Sequence, residues 1–186
     1  MHHTPLKSGR RARRPVAGAA TLLGLALALA VPAASGAGAL DEITGTAGND
    51  RLRGTAAADD IRGGAGHDRL WGHTGADVLS GGSGSDSLRG GNGTDHLEGG
   101  SGHDVLSGGR GGDDLVGGAG DDTVENEVGR DRIHLGAGDD SYVDWQVDGR
   151  RDEIWCGPGV DFVGYWGDPD PADTLHGCEE VGDIAH

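Results

Sequence analysis

Eleven aspartates fall nine residues apart without a slip: Asp50, Asp59, Asp68, Asp77, Asp86, Asp95, Asp104, Asp113, Asp122, Asp131 and Asp140. A carboxylate can serve as acid, base, nucleophile or ligand, and its neighbours decide which. Here glycine stands two places before ten of the eleven, Ala57 being the departure. An apolar residue stands two places after each, from Leu52 through to Tyr142. A hard cation explains a carboxylate held at a fixed place in a glycine turn, because such ions take carboxylate and backbone carbonyl oxygens. A solvated acidic face would also be rich in aspartate. It would not keep a nine-residue frame with glycine and leucine at fixed offsets.

The elements that position these carboxylates follow from the best units, GGSGSDSLR (Gly81 to Arg89), GGNGTDHLE (Gly90 to Glu98), GGSGHDVLS (Gly99 to Ser107) and GGAGDDTVE (Gly117 to Glu125). Glycine in the first, second and fourth places permits positive φ and close backbone approach, so six residues make a tight turn. The other three make a short extended segment whose middle side chain faces inward and whose neighbours face water. Two units close one coil of 18 residues, and stacked coils give a right-handed parallel β-roll, an all-β solenoid with a row of turns along each edge. Units of like parity stack. One edge carries Asp50, Asp68, Asp86, Asp104, Asp122 and Asp140, and the other Asp59, Asp77, Asp95, Asp113 and Asp131. Coils repeat at roughly 4.8 Å, which leaves room for a cation between one turn and the next. An all-oxygen site of about six ligands suits Ca²⁺; Mg²⁺ holds its water and demands shorter bonds.

These units resemble the nonapeptide calcium-binding repeats of the RTX (haemolysin-type) family, and the likeness covers residues 45–143. It implies a Ca²⁺-loaded parallel β-roll that folds as it binds the ion. Some units depart from the pattern. GTAGNDRLR and GTAAADDIR carry Thr for the second glycine, Gly72-His73 replaces a glycine pair, and Asn126 and Glu127 stand where glycines belong before Asp131. The two edges offer five gaps and four, of which roughly four to eight are expected to hold Ca²⁺.

The N-terminus reads as an export signal over residues 1–39. Lys7, Arg10, Arg11, Arg13 and Arg14 precede an apolar run from Val16 to Val31, then small residues with a cleavage point near residues 34–39. The alternative is an uncleaved anchor, for which about 16 apolar residues is short. Arg10-Arg11 invites a twin-arginine reading but lacks the bulky apolar residue that follows such a pair, so the general secretory route ranks higher. Family members often leave by a C-terminal signal; the signal here departs from that habit. All 31 acidic residues lie beyond this segment against 10 arginines, leaving about −21 with His neutral. That sign excludes nucleic acid as a natural partner and works against anionic membranes. Low apolar content and many glycines put the mature chain near the disordered side of the charge–hydropathy balance.

The β-roll is assigned to residues 40–143, and residues 144–186 to degenerate repeats and a C-terminal cap. Asp152 with Ile154, and Asp161 with Val163, fall back into step after an interruption at Asp144-Trp145-Gln146. Six of the seven aromatics, Tyr142, Trp145, Trp155, Phe162, Tyr165 and Trp166, lie here. They could cover the last coil or bind carbohydrate. Cys156 and Cys178 are the only cysteines and in an exported protein are expected to pair; zinc or a reactive thiol is the poorer reading. The tail is similar to that of small secreted bacterial calcium-repeat proteins, which often end in a Cys-Glu pair as Cys178-Glu179 does here. There is no G-x-S-x-G elbow and no H-E-x-x-H, and the histidines scatter around the coil, so no enzyme is expected. Two readings remain: a secreted Ca²⁺-binding protein, or a calcium-stiffened structural or adhesion module with a protein or glycan partner.

Overall fold

The structure, a computed structural model, describes residues 40–126, 128–145, 148–167 and 169–183. The leader expected over residues 1–39 lies outside the described residues. Among the described residues there is no helix, and none long and apolar enough to cross a membrane.

The chain winds as a parallel β-solenoid of about eight coils, each contributing one strand to each of two sheets. The first sheet stacks Asp41–Thr44, Asp59–Ala65, Val78–Ser83, His96–Ser101, Asp114–Ala119, Arg132–Ala137, Glu153–Trp155 and Thr174–His176. The second stacks Arg51–Arg53, Arg69–Thr74, Ser87–Gly93, Val105–Gly111, Thr123–Asn126, Ser141–Asp144, Phe162–Tyr165 and Glu180–Asp183, with Val128–Gly129 beside Val105–Gly111. Registry is 18 residues per coil, so Ile61 pairs with Leu79 and Leu79 with Leu97. Near the end it lengthens to 21, pairing Ile133 with Ile154 and Tyr142 with Val163. The interruption after Tyr142 is thus absorbed by longer coils, Ile154 pairing with Leu175 again 21 residues on, and the ladder continues beyond it.

The core is two single-file columns. Ile43, Ile61, Leu79, Leu97, Leu115, Ile133 and Ile154 face Leu52, Leu70, Leu88, Leu106, Val124, Tyr142 and Val163, all of them buried. These are the inward residues expected two places after each aspartate. The strands of the middle coils are longer than the three residues expected. They run for six or seven because the glycines keep pairing, as Gly64 with Gly82 and Gly82 with Gly100.

Glycine serves two different needs. In the second and fourth places φ is positive, 109° at Gly82 and 118° at Gly84, a region costly to other residues. First-place glycines such as Gly81 do not share that conformation. A Cβ on Gly81 would stand 2.5 Å from Asp86 Oδ2 and 2.7 Å from the Gly99 carbonyl oxygen, so the need there is for space. Towards the C-terminus the same inward position is taken by Leu135, Asp144, Cys156 and Tyr165, all buried.

The Cys156–Cys178 disulfide is present and ties the last two strands of the first sheet together. The aromatics cover the end only in part. Tyr142 and Tyr165 are in the core. Trp155 stacks outside between His134 and His176, with centroids 4.4 and 5.0 Å away. Trp145 and Trp166 form an exposed tilted pair at 5.9 Å. In the last pair of strands Val181 keeps 49% exposure.

Candidate metal centre

Each aspartate of the frame closes a glycine turn just before an extended segment, so its side chain folds back into its own turn. There the backbone N–H of one aspartate donates to Oδ1 of the next aspartate on the same edge. The bond is 2.7 Å from Asp68 to Asp86, 2.8 Å from Asp86 to Asp104 and 2.8 Å from Asp104 to Asp122. On the other edge Asp59 reaches Asp77, Asp77 reaches Asp95 and Asp95 reaches Asp113, each at 2.9 Å. One oxygen of every such carboxylate is therefore used in stacking the coils.

The second oxygen is not. Oδ2 of Asp68, Asp77, Asp86, Asp95, Asp104, Asp113, Asp122 and Asp140 is buried and accepts no hydrogen bond, in side chains at most 3% exposed. An anionic oxygen without a donor at such depth costs several kcal/mol in general. Burial accordingly pushes these acids up from the ordinary 3.8, with neighbouring carboxylates adding to the effect at Asp113 and Asp122. Asp77 rises to about 6 and Asp113 and Asp122 to about 7. A groove runs over each row, about 480 Å³ beside Asp50, Asp68 and Asp86 and about 510 Å³ beside Asp77, Asp95, Asp113 and Asp131.

All eleven expected residues are buried in the two rows. The first on each edge differ in detail. Asp50 Oδ2 accepts from Thr46 N at 2.6 Å and Thr46 Oγ1 at 2.9 Å. Asp59 Oδ2 accepts from Thr55 N at 2.6 Å and Thr55 Oγ1 at 3.2 Å. Threonine in place of the second glycine thus supplies the donors that the other turns lack. Asp131 receives the Asp113 amide at 2.6 Å.

The rows also run further than the eleven. Asp140 N donates to Asp161 Oδ1 at 3.0 Å, Asp131 N to Asp152 Oδ1 at 2.8 Å and Asp152 N to Asp173 Oδ1 at 3.0 Å. The Asp161 amide meets Glu179 Oε2 at 3.2 Å, which ends that row. Asp161 Oδ2 is another buried oxygen with no donor. In the longer coils an oxygen of Asp144 comes within 4.8 Å of oxygens of Asp152 and Asp173. Tyr142 Oη donates to Asp152 Oδ2 at 3.4 Å, and burial raises Asp152 to about 7. The signal for Asp152 and Asp161 was the apolar residue two places on, and Leu175 marks Asp173 in the same way. Nothing in the pattern marks Asp144.

The donor set is thus all oxygen, anionic and stacked at one-coil intervals, which fits a hard divalent cation and no thiolate- or imidazole-seeking metal. A family model described as RTX calcium-binding nonapeptide repeat (4 copies) matches residues 35–70, 53–88, 71–106, 89–124 and 107–142. No curated protein and no solved structure matches the chain.

Proposed function

Since the chain belongs to the RTX calcium-binding nonapeptide repeat family, we propose that it is a secreted protein that folds by binding several Ca²⁺ ions between its stacked glycine turns. The row of buried Oδ2 atoms with no donor carries this reading. Asp68, Asp77, Asp86, Asp95, Asp104, Asp113, Asp122 and Asp140 are the central ligands, with Asp50, Asp59 and Asp131 at the less regular turns. Asp161 and Asp152 extend the rows. Bound calcium supplies a positive charge that the buried carboxylates otherwise lack.

Magnitudes favour coupling of folding to the ion. Each inward Leu or Ile contributes about 1.5–3 kcal/mol on burial, while ordering the backbone costs about 1–2 kcal/mol per residue, most for glycine. Carboxylates one coil apart add repulsion. At calcium tenfold above a site's dissociation constant each ion adds about 1.4 kcal/mol, so roughly four to eight of them decide the balance. Secretion is supported by the basic and apolar leader and by a disulfide, which persists in oxidising surroundings. Far-UV circular dichroism of the mature chain is expected to read disordered in EDTA and β-rich in millimolar Ca²⁺, with several ions bound by calorimetry. Identical spectra in the two conditions would refute the proposal. A second reading, a calcium-stiffened adhesion module, is favoured by the first four strands of the second sheet, which bear arginine and no acid.

A further inference from the structure

We propose that the outer face of the second sheet, over its first four coils, binds an acidic polysaccharide through Arg51, Arg53, Arg69 and Arg110. The strands concerned read RLR, RLWGHT, SLRGGNG and VLSGGRG. They hold five of the ten arginines beyond residue 39 and, in a chain with 31 acidic residues, no acid at all. Over the same coils the first sheet turns Glu42, Asp60, Glu98 and Asp114 outward or part-outward.

The registry makes this a built array. Arg51 pairs directly with Arg69, and Arg53, Trp71 and Arg89 fall in one row. Like charges facing each other on neighbouring strands destabilise a sheet, so the arrangement works against the fold that carries it. The Arg53 guanidinium lies 4.9 Å from the centre of the Trp71 ring, a cation–π contact that orients its fork. Beside it a groove of about 300 Å³ runs over the bare backbone of Gly90 and Gly91, between Trp71, Arg89, Asn92 and Arg110.

This chemistry selects the ligand. Guanidinium forks pair with carboxylates through two parallel hydrogen bonds, the indole gives an apolar surface to a sugar ring, and the Asn92 amide can both donate to and accept from hydroxyls. Four coils span roughly 14 Å at the strand spacing, so a polymer with repeated carboxylates engages the whole array and a single small anion does not. The acids of the first sheet stand on the far side of the coil, about 10 Å away through the packed layers, which is about one Debye length in physiological salt. Those of the adjoining turns are neutralised when calcium is bound.

The inference rests on the proposed calcium-dependent coil, since the face exists only when the strands stack. The test uses the full mature chain in millimolar Ca²⁺ with hyaluronan as the carboxylate polymer, dextran as the neutral one and duplex DNA as a different polyanion. Saturable binding to hyaluronan and none to dextran is expected. The affinity should fall at least about tenfold in R53Q/R69Q, while R132Q/R150Q, with the same change in charge, leaves it within twofold. A chain that shows the calcium-dependent spectrum yet fails to bind hyaluronan overturns this inference alone. So does an equal loss in both double variants, or DNA bound as tightly as hyaluronan. A spectrum indifferent to calcium overturns the reading beneath it.

Discussion

In Asp86 one carboxylate oxygen accepts the Asp68 amide at 2.7 Å, and the other is buried with no donor. Asparagine can perform the first duty and not the second. Asp86→Asn is therefore expected to keep a β-rich spectrum in saturating Ca²⁺ while calorimetry loses the ions on both sides of that turn; an unchanged stoichiometry would contradict the stacking. Gly84→Ala acts differently, through φ of 118° and through a Cβ driven into the Gly66 carbonyl. The dihedral alone costs about 1–3 kcal/mol, so a lower melting temperature in Ca²⁺ is expected. The aspartate frame was legible because it is periodic. The state of each second oxygen was not, because it depends on a local donor: Thr46 and Thr55 satisfy Oδ2 of Asp50 and of Asp59 through hydrogen bonds that spacing does not reveal. Nor did sequence separate a glycine needed for φ, such as Gly84, from one needed for room, such as Gly81.

Strands of the central coils were readable as elements, with their inward residue, their parity and their 18-residue pairing. The last coils were harder, since three extra residues move the pairing to 21 and larger side chains replace the inward glycine. Asp173 fell outside the expected site for that reason. The disulfide bridges this widened region, joining the strand ends after Glu153–Trp155 and Thr174–His176. In the chain-entropy model a loop of that length contributes about 3 kcal/mol. Cys178→Ser, or reduction, is expected to lower the melting temperature while the central aspartates still take up Ca²⁺. Loss of all uptake on titration would mean that the two regions fold only as one.

At the scale of the molecule, protons and calcium compete for the same buried oxygens. Burial raises Asp77 to about 6 and Asp113, Asp122 and Asp152 to about 7 in the folded coil, against an ordinary 3.8. The folded chain thus binds more protons than the unfolded one between about pH 4 and 7, and its metal-free stability falls as pH rises through that window. Without calcium, acidification from pH 7.5 to 4.5 is expected to increase β-structure. With limiting calcium, the same change weakens ion binding, because the ligands must be ionised. Circular dichroism at the two pH values, with and without the ion, gives opposite signs if both statements hold.

The amide ladder has a direction. Asp50 leans on Asp68, Asp68 on Asp86, and so down the edge to Asp161 and Glu179. Every winding leaves two such main-chain donors, one on each edge, to be answered by the winding that follows it in sequence. A chain emerging N-terminus first cannot complete any turn of the spiral until later residues arrive; among the described residues the rows stop at Glu179 on one edge and, on the other, at Asp173, whose amide meets the Asp170 carbonyl. Growth of the spiral from its tail back toward its head is the order that leaves fewest debts.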